Sequence, residues 1–87
     1  MVPNKILNKK GYVYFRDSQN ITYEKKITEH GGFNQIKIHI NDLTARCSTN
    51  LILENGYRSE PLQLDYDMVK AIISIMNELK KEKDNEN

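Results

Sequence analysis

Between residues 33 and 41 apolar and polar positions alternate with period two. Ile36, Ile38 and Ile40 fall to one side and Gln35, Lys37, His39 and Asn41 to the other, the signature of a half-buried strand. Upstream, Tyr12-Val-Tyr-Phe-Arg16 concentrates β-branched and aromatic residues after Gly11 and predicts a first strand. Asp-Ser-Gln-Asn at 17 to 20 is turn chemistry, because short polar side chains bond back to their own backbone. Ile21 to Glu29 then follows as a second strand at hairpin distance. His30-Gly31-Gly32 predicts the turn into the third, with glycines free to take positive φ.

Asn41-Asp42 turns the chain into a fourth strand, Thr44 to Glu54. There Ala45, Cys47, Thr49, Leu51 and Leu53 point one way, and Arg46, Ser48, Asn50 and Ile52 the other. Asn55-Gly56 is the strongest two-residue hairpin signal in the chain. It leads into a short fifth strand, Tyr57 to Leu64, where Pro61 marks an edge or a bulge because proline donates no ladder hydrogen bond. The pattern then changes period. Val69, Ile72, Ile73, Met76 and Leu79 recur at helical spacing from about Asp65 to Lys81, with Asp65 or Asp67 to cap the start and Lys80, Lys81 and Lys83 near the negative end of the dipole. Met68 and Ile75 widen the apolar stripe, which needs either a well-wrapped sheet or a second subunit to cover it.

The expected fold is therefore α+β: a four- to five-stranded, mostly antiparallel β-meander followed by one C-terminal α-helix packed on the sheet. Residues 1–10 read as a flexible leader, 11–81 as the single domain and 82–87 as a polar tail. With 87 residues the chain holds one modest core, which makes oligomerisation a live option; a homodimer would use Met68, Ile72, Ile75, Met76 and Leu79 of the helix. The 38% apolar and 29% charged composition suits a globular domain. No apolar run approaches the roughly 20 residues of a membrane span, no secretory h-region is visible and a lone cysteine forms no internal disulfide, so a cytoplasmic location is expected.

Charge changes the picture slightly. The first 50 residues carry eight basic and four acidic side chains, a balance of +4, and the rest carry five and eight, a balance of −3. The sheet half is thus mildly cationic, which hints at an anionic partner. Candidate chemistry adds little. Cys47 falls with the core-facing residues and His39 on the other side, so they do not form a nucleophile and its base. Two histidines and one cysteine do not fill a four-ligand zinc site, Gly31-Gly32 is too short to cradle phosphate, and Asp65 and Asp67 read as helix caps. No catalytic residue, metal or cofactor is expected, and the chain reads as a non-enzymatic binding protein.

The remaining surface is the outer sheet face. With Val13 and Phe15 facing the core, Tyr12, Tyr14 and Arg16 face outward and join Lys26, Lys37, His39 and Arg46; Tyr57 and Arg58 extend the set. Tyrosine rings stack unpaired bases and cations follow phosphates, so the first expectation is a binder of single-stranded nucleic acid. The alternative is a protein-binding inhibitor or adaptor of phage or mobile-element type, which covers a partner protein's surface with the same aromatic and arginine anchors. The order of strands and a closing helix resembles that of small single-stranded-DNA-binding coactivator domains, which pair as dimers through such helices. No residue motif of that family is present, and no site is carried over from it.

Overall fold

A computed structural model describes residues 4–27 and 31–85. Helix α1 (Lys5–Lys9) precedes strands β1 (Val13–Arg16), β2 (Asn20–Lys26), β3 (Phe33–His39), β4 (Thr44–Leu53) and β5 (Gly56–Pro61), and helix α2 (Tyr66–Asn85) closes the chain. The strands form one antiparallel sheet in sequence order, β1-β2-β3-β4-β5. This is the expected α+β meander with its C-terminal helix. Among the described residues no helix is long and apolar enough to cross a membrane.

Register decides which residues share a face. Tyr14, Tyr23, Ile36 and Cys47 lie in one row across the sheet, and Arg16, Ile21, Ile38 and Ala45 in another. Because side chains alternate along a strand, both rows point to the same side. Ile21, Tyr23, Ile36 and Ile38 are fully buried there with Met68, Ala71, Ile72, Ile75 and Leu79 of α2. The alternate rows, Val13-Glu24-Gln35-Ser48-Pro61 and Phe15-Thr22-Lys37-Arg46, point to the opposite side.

This register reverses the expected facing of β1. Tyr12 is buried and Tyr14 packs against the core, while Val13 and Phe15 are 56% and 53% exposed. Pairing Tyr14 with Tyr23 is the cause, since direct cross-strand neighbours must share a face. Their rings meet at 5.4 Å and 54°, a tilted contact worth about 0.5–1.5 kcal/mol beyond burial. The inward Lys25 is accommodated at the rim, its ammonium 6.0 Å from the centre of the Tyr12 ring. Arg16, also on the covered side, pairs with Glu82 at 3.5 Å.

The leader is likewise corrected from Asn4 onward. Asn4 caps α1 by accepting the Ile6 amide at 2.9 Å, and its own amide donates to the Tyr23 hydroxyl at 3.0 Å. Leu7 is fully buried, so α1 plugs the core at the end of the sheet; residues 1–3 lie outside the described residues. At the other terminus α2 runs four residues beyond Lys81, to Asn85, where a fraying tail was expected. Its start is capped by Asp65, which accepts the Met68 amide at 2.8 Å and a hydrogen bond from Lys10 Nζ at 2.9 Å. Lys10, then that amide, hold the Asp65 carboxyl below the usual carboxylate range. The cap's contribution is therefore complete above the unfolded value of about 4 and is lost as pH falls through the depressed one.

The turns follow their chemistry with one shift. Asp17 accepts the amides of Gln19 and Asn20, both at 2.8 Å. Residues 40–43 connect β3 to β4, with Leu43 at φ 54°, a conformation costing an L-residue roughly 1–2 kcal/mol; its packing on the core offsets this. In the last hairpin Leu53 pairs with Gly56, so the loop is Glu54-Asn55 and not Asn55-Gly56, and Gly56 carries the positive φ, 147°. The His30 part of the β2–β3 turn, like the final part of the expected second strand, lies outside the described residues.

Four of the five helix residues expected at a dimer interface, Met68, Ile72, Ile75 and Leu79, are buried in the core, and Met76 is partly buried against it. The apolar residues α2 leaves exposed are Tyr66, Val69 and Ile73. The docking of α1 makes a direct prediction: Leu7→Ala lowers stability by about 2–5 kcal/mol in urea unfolding, as for a buried leucine. An unchanged midpoint would mean that α1 stands apart from the core.

Candidate functional site

The side of the sheet away from α2 carries a concavity of about 330 Å³ over β3, β4 and β5. Lys37 and His39 reach it from β3, Arg46, Ser48 and Asn50 from β4, and Tyr57 and Ser59 from β5, with Gln35 completing the lining. Every one of these side chains is polar and none is a carboxylate. Lys37 and Arg46 are direct cross-strand partners, which places their Cβ atoms about 5 Å apart.

Among the described residues, no cation of this concavity is in an ion pair. Among the described residues, the cations in ion pairs are Lys10 with Asp65, Arg16 with Glu82, and Arg58 with Glu60; Lys26, Lys37 and Arg46 are in none. Asp17 and Asp42 are held mainly by their own turns. Asp17 is held low by the Gln19 and Asn20 amides, with a smaller contribution from Lys37. Asp42 is held low first by the Thr44 hydroxyl, at 2.8 Å, with His39 adding less.

Hydrogen bonding organises the β4–β5 wall. Tyr57 donates its hydroxyl proton to Asn50 Oδ1 at 2.6 Å, and Asn50 Nδ2 donates to Ser48 Oγ at 3.2 Å. Asn50 is only 2% exposed, so this amide is a fixed link. Ser48 accepts from it and keeps its own hydroxyl proton to donate. Tyr57, tethered through its oxygen, stays 63% exposed as a ring at the rim.

On the β1 side of the same face the surface turns apolar. Val13, Phe15 and Phe33 line a second depression of about 330 Å³ with Glu24, Lys26, Gly31 and Gly32. A third, of about 320 Å³, joins Phe15 to Lys37 through Thr22, Glu24 and Gln35. Phe15, Thr22, Lys37 and Arg46 form one transverse row. At ~4.8 Å per strand this row spans roughly 14 Å from ring to guanidinium.

Of the residues singled out in the sequence, Lys37, His39, Arg46 and Tyr57 converge on the polar concavity and Lys26 lies on the same face. Tyr12, Tyr14 and Arg16 do not: they belong to the covered side. Arg58 points to the opposite face of β5 from Tyr57 and is paired with Glu60 at 3.1 Å. Phe15, Gln35, Ser48, Asn50 and Ser59 complete the site beyond that set. Phe15 was discoverable from the pairing of two tyrosine-bearing strands, whereas the Tyr57–Asn50–Ser48 chain depends on a hairpin register that no local pattern encodes.

Cys47 sits half-buried on the covered side, where burial pushes its thiol pKa up, and His39 is on the open side. No group of three His, Cys, Asp or Glu side chains that could hold a metal occurs among the described residues. No protein-family model matches the chain, no curated protein matches it, and no solved structure matches its fold.

Like charges placed directly opposite on a sheet oppose folding by an amount in the range of 0.2–1 kcal/mol. Lys37→Gln is therefore expected to raise the urea midpoint slightly at low salt, with the gain fading as salt screens the Lys37–Arg46 repulsion. A loss of stability on this substitution would show that Lys37 has a structural role.

Proposed function

We propose that the open face of the sheet binds single-stranded nucleic acid. The observation that carries this reading is the convergence of Lys37, Arg46 and His39 on one carboxylate-free concavity, beside the exposed rings of Phe15 and Tyr57. Cations outside ion pairs attract phosphate, and each exposed ring offers a stacking surface worth about 1–3 kcal/mol to an unpaired base. A duplex keeps its bases stacked inside, out of reach of a sheet face, so single strands are preferred. A cytoplasmic location, where such strands arise, belongs to the same proposal.

The second reading, an inhibitor or adaptor that covers another protein, draws support from a different observation. β1 is an edge strand whose Val13 and Phe15 are more than half exposed, and an apolar edge suits strand addition by a partner. A stoichiometric complex with one protein, in the absence of oligonucleotide binding, would favour it.

Fluorescence anisotropy with labelled single-stranded and duplex oligonucleotides tests the nucleic-acid reading. Binding is expected to prefer single strands and to weaken with salt at a log–log slope of about −2, as for two or three neutralised phosphates. Phe15→Ala and Arg46→Ala reduce affinity, while Tyr14→Phe, on the covered side, leaves it unchanged. Absence of binding at low salt overturns the proposal.

A further inference from the structure

Resting on that reading, we infer that the concavity between β3 and β5 receives the terminal phosphate monoester of a strand and is not one step in a track of internal phosphates. Charge placement is the first reason. A diester backbone carries one negative charge per nucleotide and is followed by cations spaced along a groove. On this face the cations are concentrated instead: Lys37 and Arg46 stand opposite one another with His39 beside them. Among the described residues, the other cation on the open face, Lys26, lies in the apolar depression together with Glu24. A monoester brings about −1.5 to −2 charges and three acceptor oxygens to one point, which matches a cluster better than it matches a track.

Donor chemistry is the second reason. A phosphate dianion only accepts hydrogen bonds. Arg46 and Lys37 only donate, His39 offers an N–H in either protonation state, and Ser48 retains its proton because its oxygen already accepts from Asn50. The donors also stand on paired strands, and the hydroxyl among them is held by an amide with 2% exposure. Such preorganisation lets a small anion bind without ordering long loops. The third reason is the position of Tyr57. Its oxygen is tied to Asn50 while its ring remains exposed at the rim, so the base next to the bound phosphate has a surface on which to stack.

Oligonucleotides of one sequence ending in a 5′-phosphate, a 3′-phosphate or only hydroxyl groups separate this inference from the broader reading. Inorganic phosphate and a nucleoside monophosphate serve as free ligands in parallel. One phosphorylated end is expected to raise affinity about tenfold over the hydroxyl-ended strand, the scale of one charge-assisted hydrogen bond. Lys37→Gln and Arg46→Gln erase that difference, and Lys26→Gln preserves it. Equal binding of all three strands overturns the terminal site and leaves single-strand binding standing. Binding of inorganic phosphate without any strand overturns the nucleic-acid reading and keeps an anion site. A nucleoside monophosphate that binds as tightly as the phosphorylated strand overturns the assignment to a strand end. Failure of every ligand overturns both.

Discussion

The burial of Ile21, Tyr23, Ile36 and Ile38 beneath α2 is the constraint on which the rest depends. Strand side chains alternate, so choosing these four for the core assigns every other residue of β1 to β4 to a face, and a slip of one residue would exchange the two sides completely. The core thereby determines the site. With Ile36 and Ile38 inward, Lys37 must face outward, and the antiparallel register sets Arg46 beside it. Tyr14 enters the core because it pairs with Tyr23, and Phe15 is displaced to the open side as a consequence.

That arrangement carries an electrostatic asymmetry. Three cations on or near the covered side are neutralised locally, Lys10 by Asp65, Arg16 by Glu82 and Arg58 by Glu60, while Lys25 there stands over the Tyr12 ring. On the open side Lys37 and Arg46 oppose each other with no carboxylate in the concavity they share. Exposed ion pairs contribute little to stability, so the contrast matters little for folding. It concentrates positive potential at one place on a chain whose net charge is only +1, and a bound anion would relieve the repulsion.

Local pattern was sufficient wherever one element's periodicity settles its own facing. The alternation of β3, the apolar spacing of α2, the Asp17 turn and the Asp65 cap were all legible in this way, and they correctly put Lys37, His39 and Arg46 opposite the isoleucines. β1 was not. From Tyr12 to Arg16 every residue except the arginine is apolar or aromatic, so periodicity has two solutions, and only partnership with Tyr23 selects between them. Helix α1 escaped for a related reason: five residues are too few to display a helical period, and Leu7 becomes a core residue through tertiary contact alone. The Tyr57–Asn50–Ser48 chain required the β4–β5 register, in which the shift of the hairpin loop to Glu54-Asn55 moves every cross-strand partner by two residues.

We propose that the uncovered sheet face, centred on β3 to β5, is the surface that binds a partner. Mapping backbone amide shifts of isotopically labelled protein by NMR during titration with a single-stranded oligonucleotide tests it most directly. Perturbations are expected to cluster at Lys37, Arg46, Ser48 and Tyr57, and to reach Phe15 across the sheet, while α2 stays quiet. Perturbations centred on Tyr66, Val69 and Ile73 of α2, with β3 and β4 unmoved, would contradict it.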